Sequence, residues 1–285
     1  MINIILPGSL QTKCCIILLL FTGFSGFSQE NYKTEMDVLY YSDSLSEKDS
    51  YVNEKCKLDI YYPVNLDNYP TVIWFHGGGL TGGSREIPEA LKNKGFAVVG
   101  AGYRLSPKVK SEQCIKDAAA AIAWVFKHIG EYGGDPDLIF VSGHSAGGYL
   151  AMMAALDKDY LKPHHVDADK IAEVIPFSGH TITHFNIRKE MGLSDIQPLI
   201  DQYAPLYHVR DDAPHMLLIT GDREKEMLGR YEENAYFLRM MKLAGHKDTE
   251  LYELEGYGHN MVQPALPLLV REVQQRSKEI SRTRK

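Results

Sequence analysis

Between a short apolar run at residues 138–142 and a helix-forming run at 146–156 stand Gly143-His144-Ser145-Ala146-Gly147. No other feature constrains the chain as much. A serine with glycines two residues to either side, preceded by a strand and followed by a helix, marks a sharp turn that lifts the hydroxyl above a sheet edge. Gly143 and Gly147 answer a demand for space, because a side chain at either would collide with the neighbouring strand or helix. The helix opening at Ala146 aims free amides and the positive end of its dipole at the same point. Ser145 is therefore the expected nucleophile.

A nucleophilic serine needs a base, an orienting acid and donors for the developing oxyanion. His76-Gly77-Gly78-Gly79 follows directly on the apolar run 71–75. Glycines let that backbone bend so that amides point inward, and Gly78, Gly79 and Ala146 are the expected oxyanion donors. The base should come late, and Gly256-Tyr257-Gly258-His259-Asn260 follows the last apolar run. His259 suits the role better than His128, His164 and His165, which lie in helical or polar surface settings, or His246, which sits in a turn. The acid should follow the run 216–220, where Gly221-Asp222-Arg223-Glu224 places two carboxylates within reach. Glu224 is preferred on register and Asp222 is the alternative; the unused one would cap the loop or pair with an arginine. His76, His144 and His180 are expected to face the substrate.

The remainder of the chain alternates short β-branched or aromatic runs with longer amphipathic ones. Strands are expected at 58–62, 71–75, 97–101, 138–142, 173–177, 216–220 and 250–254, with a lead-in strand near 38–41. Helices are expected at 87–94, 114–129, 146–156, 230–244 and 261–280. This alternation predicts an α/β fold with a mostly parallel sheet of about eight strands, covered by helices on both faces. Residues 29–285 form one expected domain, with a lid-like insertion at 178–214 that lacks clean periodicity and carries Pro198 and Pro205. Residues 1–28 read as a secretory signal peptide: Lys13, an apolar run at 14–21, then Gly23, Ser25, Gly26 and Ser28. The expected location is thus secreted or periplasmic, with no stable membrane insertion once the signal is cleaved. A net charge of -6 points away from nucleic-acid partners. Beyond the signal only Cys56 and Cys114 remain, open to a disulfide or to burial as small apolar side chains, and no metal-binding spacing occurs.

With these residues in place, the chain resembles the esterase/lipase branch of the α/β-hydrolases, which includes hormone-sensitive-lipase-like enzymes and secreted acetyl-xylan and feruloyl esterases. The matching stretches are 76–79, Gly100-Ala101-Gly102-Tyr103-Arg104-Leu105-Ser106-Pro107, Asp117 with the alanines at 118–121, 143–147, and the blocks around Gly221 and His259. Many relatives carry Asp where this chain has Glu224. The resemblance implies the α/β-hydrolase fold, ester hydrolysis through an acyl-enzyme and no cofactor, with Tyr103, Arg104 and Asp117 in structural roles. The expected substrates are short-chain or aryl esters, with acetyl or feruloyl groups on polysaccharide among them. An amidase or peptidase using the same residues, and a non-catalytic binding protein on this fold, are the alternatives.

Overall fold

The computed structural model describes residues 31–284 apart from Leu228. The expected signal peptide at 1–28 lies outside the described residues. Eight strands make one sheet: β1 (Tyr32–Leu39), β2 (Lys57–Pro63), β3 (Tyr69–Phe75), β4 (Ala97–Ala101), β5 (Gly134–His144), β6 (Glu173–Phe177), β7 (Met216–Gly221) and β8 (Thr249–Leu254). Their spatial order is β1-β2-β4-β3-β5-β6-β7-β8. The first two joints, β1 with β2 and β2 with β4, are antiparallel. Every other joint is parallel, which requires a crossover after each strand.

The helices are α1 (Asp43–Lys48), α2 (Ser50–Lys55), α3 (Ser111–His128), α4 (Ala146–Leu156), α5 (Phe185–Glu190), α6 (Arg230–Ala244) and α7 (Val262–Thr283). Side chains alternate across each strand, so the sheet feeds two separate cores. Ile73, Phe75, Val99 and Val141 pack on one face with Ile115 of α3, Leu150 of α4 and Ile187 of α5. Val72, Trp74, Val98 and Phe140 pack on the other with Met261 and with Ala265, Leu266 and Leu269 of α7. The central strands are buried on both faces, which is why their sequences read as continuous apolar runs.

Two expected elements differ from the structure. The helix expected at 87–94 is only one 3₁₀ turn, Glu89–Leu91, with Pro88 before it and Asn93 at a positive φ of 58° soon after. The lead-in strand begins earlier than expected, at Tyr32, and two short helices follow it. Asp49 caps the second by accepting from the amides of Tyr51 and Val52. Cys56 and Cys114 are buried and free, and burial pushes each thiol up to about 12.

Asp117, fully buried on α3, organises the approach to the sheet's functional edge. It accepts from the Arg104 amide at 3.1 Å, from Arg104 Nε at 2.9 Å and Nη2 at 2.7 Å, and from the Tyr41 hydroxyl at 2.8 Å. A buried carboxylate persists only when its oxygens are satisfied in this way. Arg104 and Asp117 thus brace the segment after β4, and the Tyr103 hydroxyl donates to the His76 carbonyl at 2.9 Å, the structural roles expected of them.

Candidate active site

All the loops that carry chemistry leave the sheet at the carboxyl ends of its strands. Ser145 follows β5 with φ 55° and ψ −114°, a strained conformation for a residue with a side chain. The crowding explains both glycines around it. A Cβ on Gly143 would lie 2.5 Å from the Phe75 carbonyl oxygen, and one on Gly147 would lie 2.0 Å from the same atom. The Ser145 amide donates to the Phe177 carbonyl at 2.8 Å, pinning the turn to β6.

His259 sits on the loop between β8 and α7, with Nε2 2.9 Å from Ser145 Oγ. Its Nδ1 lies 2.6 Å from Oε1 of Glu226. Neither Asp222 nor Glu224 takes that place, and the expected acid is corrected on this point. Residues 222–225 form a tight turn in which the amides of Lys225 and Glu226 both donate to the Asp222 carbonyl. The turn carries Glu224 outward into solvent and swings Glu226 back over the end of β7, where the Gly221 amide donates to Oε2 at 3.1 Å. Asp222 instead accepts from the amides of Glu224 at 2.9 Å and Gly256 at 2.7 Å, tying this turn to the His259 loop. It is the loop cap expected of the unused carboxylate. The signal for Glu226 was the turn itself: a carboxylate at the far end of one helical turn returns to the strand it left.

Glu226 is held at both oxygens. Besides His259, Oε1 accepts from the Met227 amide at 2.9 Å, and Oε2 accepts from the Ser178 hydroxyl at 2.5 Å. Burial alone would raise this carboxyl, but the hydrogen bonds from His259, Ser178 and the Met227 amide outweigh it and bring it down to about 2. The group is a carboxylate at neutral pH, and it accepts the Nδ1 proton of His259. That fixes the tautomer in which Nε2 is free to accept from Ser145.

The glycine loop after β3 lies against the serine. A Cβ on Gly77 would be 3.6 Å from Ser145 Cβ. Gly78 and Gly79 have φ of 114° and 63°, and a Cβ on Gly78 would strike the Gly82 carbonyl at 2.2 Å. Among the described residues, neither amide donates a hydrogen bond. Ala146 is the first residue of α4, so its amide has no acceptor within the helix. The three expected donors are thus left without acceptors, on the loop and the helix start that flank Ser145.

The three histidines expected to face the substrate hold the scaffold instead. His76 is buried, stacked on Tyr103 with centroids 4.3 Å apart, and its Nδ1 lies 2.7 Å from the Gly77 carbonyl. Burial lowers it to about 4. His144 donates from Nε2 to the His259 carbonyl at 2.8 Å, bracing the base loop. Burial first, then repulsion from His259, lowers it to about 4 as well. His180 is buried between Glu233, 2.8 Å from Nδ1, and Arg230, 2.7 Å from Nε2. Burial first, then repulsion from Arg230, holds it below the ordinary imidazole range. Polar side chains next to a nucleophile suggest substrate contacts, but here the sheet edge is so crowded that these rings fill the second layer. Arg230 also donates to the Ser178 carbonyl, so this buried cluster supports the residue that holds Glu226.

A family model described as BD-FAE matches residues 58–230. Among curated proteins, the chain is similar to the probable carboxylic ester hydrolase LipM of Mycobacterium tuberculosis (strain ATCC 25618 / H37Rv). The two are 30% identical over 58% of this chain and 44% of LipM. Esterase LipQ of the same strain is 29% identical over 67% of this chain and 50% of LipQ. The chain thus spans about half the length of these relatives. Among solved structures, a truncated form of a carbohydrate esterase from gut microbiota superposes with a TM-score of 0.71 at 20% identity. That match covers 88% of this chain and 98% of the other. Thermogutta terrifontis esterase 2 phosphoramylated by tabun gives a TM-score of 0.66 at 26% identity, covering 85% of this chain and 94% of the other. The fold is the α/β-hydrolase fold.

Proposed function

The chain belongs to the BD-FAE family, and we propose that it is a serine carboxylesterase acting on short-chain or aryl esters, with acetyl and feruloyl groups on polysaccharide as the candidate targets. The observation that carries this reading is the unbroken relay from Ser145 Oγ through His259 to Glu226, at 2.9 and 2.6 Å. The names of LipM and LipQ as ester hydrolases support it.

In this mechanism Ser145 Oγ attacks the ester carbonyl while His259 Nε2 takes its proton. The imidazolium that forms is stabilised by the Glu226 carboxylate at Nδ1. The carbonyl oxygen, now an anion, is received by the amides of Gly78, Gly79 and Ala146, each worth about 3 kcal/mol in the transition state. His259 then gives its proton to the leaving alcohol oxygen, which leaves an acyl group on Ser145. Water enters, His259 takes its proton, and the same steps release the acid and restore the serine. Export forms part of the same reading. It is supported by Lys13, the apolar run that follows it and the small residues beyond.

The test is turnover of p-nitrophenyl acetate, acetylated xylan and methyl ferulate, with a matched anilide as the amide control. Wild-type protein is expected to cleave p-nitrophenyl acetate and acetylated xylan well ahead of the anilide. Ser145→Ala is expected to lose about 10⁴-fold or more in kcat with its circular dichroism unchanged. A Ser145→Ala variant as active as the wild type would overturn the reading.

A further inference from the structure

We propose that Phe185 walls off the acyl side of the site, so that the enzyme accepts acetyl-sized acyl groups and excludes long or aryl ones such as feruloyl. The inference rests on the esterase reading above and narrows it to one substrate class.

The direction of the acyl group follows from the proton transfers. An adduct at Ser145 carries an oxyanion, a leaving oxygen and the acyl carbon. The oxyanion turns to the Gly78, Gly79 and Ala146 amides. The leaving oxygen must meet Nε2 of His259, because that atom returns the proton. The acyl group takes the direction that remains, away from His259. The base loop leads into Met261 and α7, which pack in the core on one face of the sheet. Phe185 opens α5, whose Ile187 packs in the core on the opposite face. Phe185 and the His259 loop are therefore backed by opposite faces of the sheet, and the acyl group is directed to the Phe185 side.

The ring is close and firmly held. A Cβ built on Gly79 would lie 3.0 Å from Phe185 Cζ and 3.7 Å from Cε2, so the ring rests on the oxyanion loop itself. Behind it, the His184 ring lies 4.3 Å away between centroids and the His180 ring 5.7 Å away. His184 is fully buried and packs in turn on Tyr149 at 5.1 Å. Phe185 itself is only half-buried, which leaves part of the ring free to meet a substrate. A ring backed by buried neighbours forms a rigid wall, because displacing it would open a packed core.

The experiment compares kcat/KM on p-nitrophenyl acetate, butyrate, octanoate and ferulate for wild type, Phe185→Ala and Phe185→Leu. A common leaving group isolates the acyl side. Wild type is expected to favour acetate over octanoate by about 100-fold or more. Phe185→Ala is expected to raise the octanoate-to-acetate ratio about tenfold or more, with the ferulate-to-acetate ratio rising too and Phe185→Leu between. If Phe185→Ala does not fold, Phe185→Leu keeps most of the apolar volume and carries the same comparison. Active variants whose ratios match the wild type would overturn the role of Phe185, as would a wild type that favours octanoate or ferulate. A wild type inert on all four esters refutes the esterase reading itself and the acyl limit with it.

Discussion

Glu226→Gln tests the part of the site that sequence motifs did not reveal. The substitution keeps the shape of the side chain and removes its charge. Both carboxylate oxygens face donors: His259 Nδ1 and the Met227 amide at Oε1, Ser178 Oγ and the Gly221 amide at Oε2. Whichever way the glutamine amide turns, its NH₂ meets an N–H that cannot rotate away. The His259 tautomer is then no longer fixed, and no negative charge stabilises the imidazolium. A fall in kcat of about 10³- to 10⁴-fold is expected, or about 4 to 5 kcal/mol of lost transition-state stabilisation. Stability changes as well. Glu226 is held at about 2 against an ordinary 4.5. A carboxyl lowered on folding contributes stability that is present above its unfolded value and is lost as pH falls through the folded one. The contribution is at most about 3 kcal/mol at neutral pH, and about half that after solvent screening. The assay pairs steady-state kinetics with urea melts at pH 7 and pH 3. Wild type should exceed Glu226→Gln in stability at pH 7, and the gap should narrow at pH 3. Glu224→Gln, altering an exposed side chain, should behave as wild type. Loss of activity in Glu224→Gln with Glu226→Gln unimpaired would refute the reasoning.

Ser178→Ala removes one donor to Glu226 without touching the substrate space, since Ser178 is fully buried. Its kcat should fall about tenfold while KM stays unchanged, as steady-state kinetics on one short ester will show. Asp117→Ala strands the Arg104 guanidinium in a largely buried site, where Asp49 is the one remaining charged partner among the described residues. It should cost about 3–5 kcal/mol of stability in urea melts, with the kcat of the folded fraction preserved.

Much of this architecture is legible in the sequence because it rests on local demands. The glycines at 143 and 147 are needed wherever a strand turns this sharply into a helix, so they mark the Ser145 turn without any tertiary information. Buried central strands appear as apolar runs for a similar reason. Where the reading failed, the deciding contacts lay elsewhere in the chain. Glu226 is two residues from Glu224 and four from Asp222, and only the turn at Asp222, fastened to Gly256, decides which carboxylate reaches His259. His76, His144 and His180 are polar side chains beside a nucleophile, and nothing local distinguishes a ligand from a buried brace. The 87–94 region carries an amphipathic pattern, but Pro88 before the turn and Asn93 at positive φ after it leave only one 3₁₀ turn.

Covalent trapping examines the site most directly. Wild-type protein is treated with a fluorophosphonate, digested, and the adduct located by mass spectrometry. One phosphonyl group on Ser145, absent from Ser145→Ala and strongly slowed in His259→Ala, is the predicted result. An unmodified Ser145, or a label on a different residue, would contradict the account.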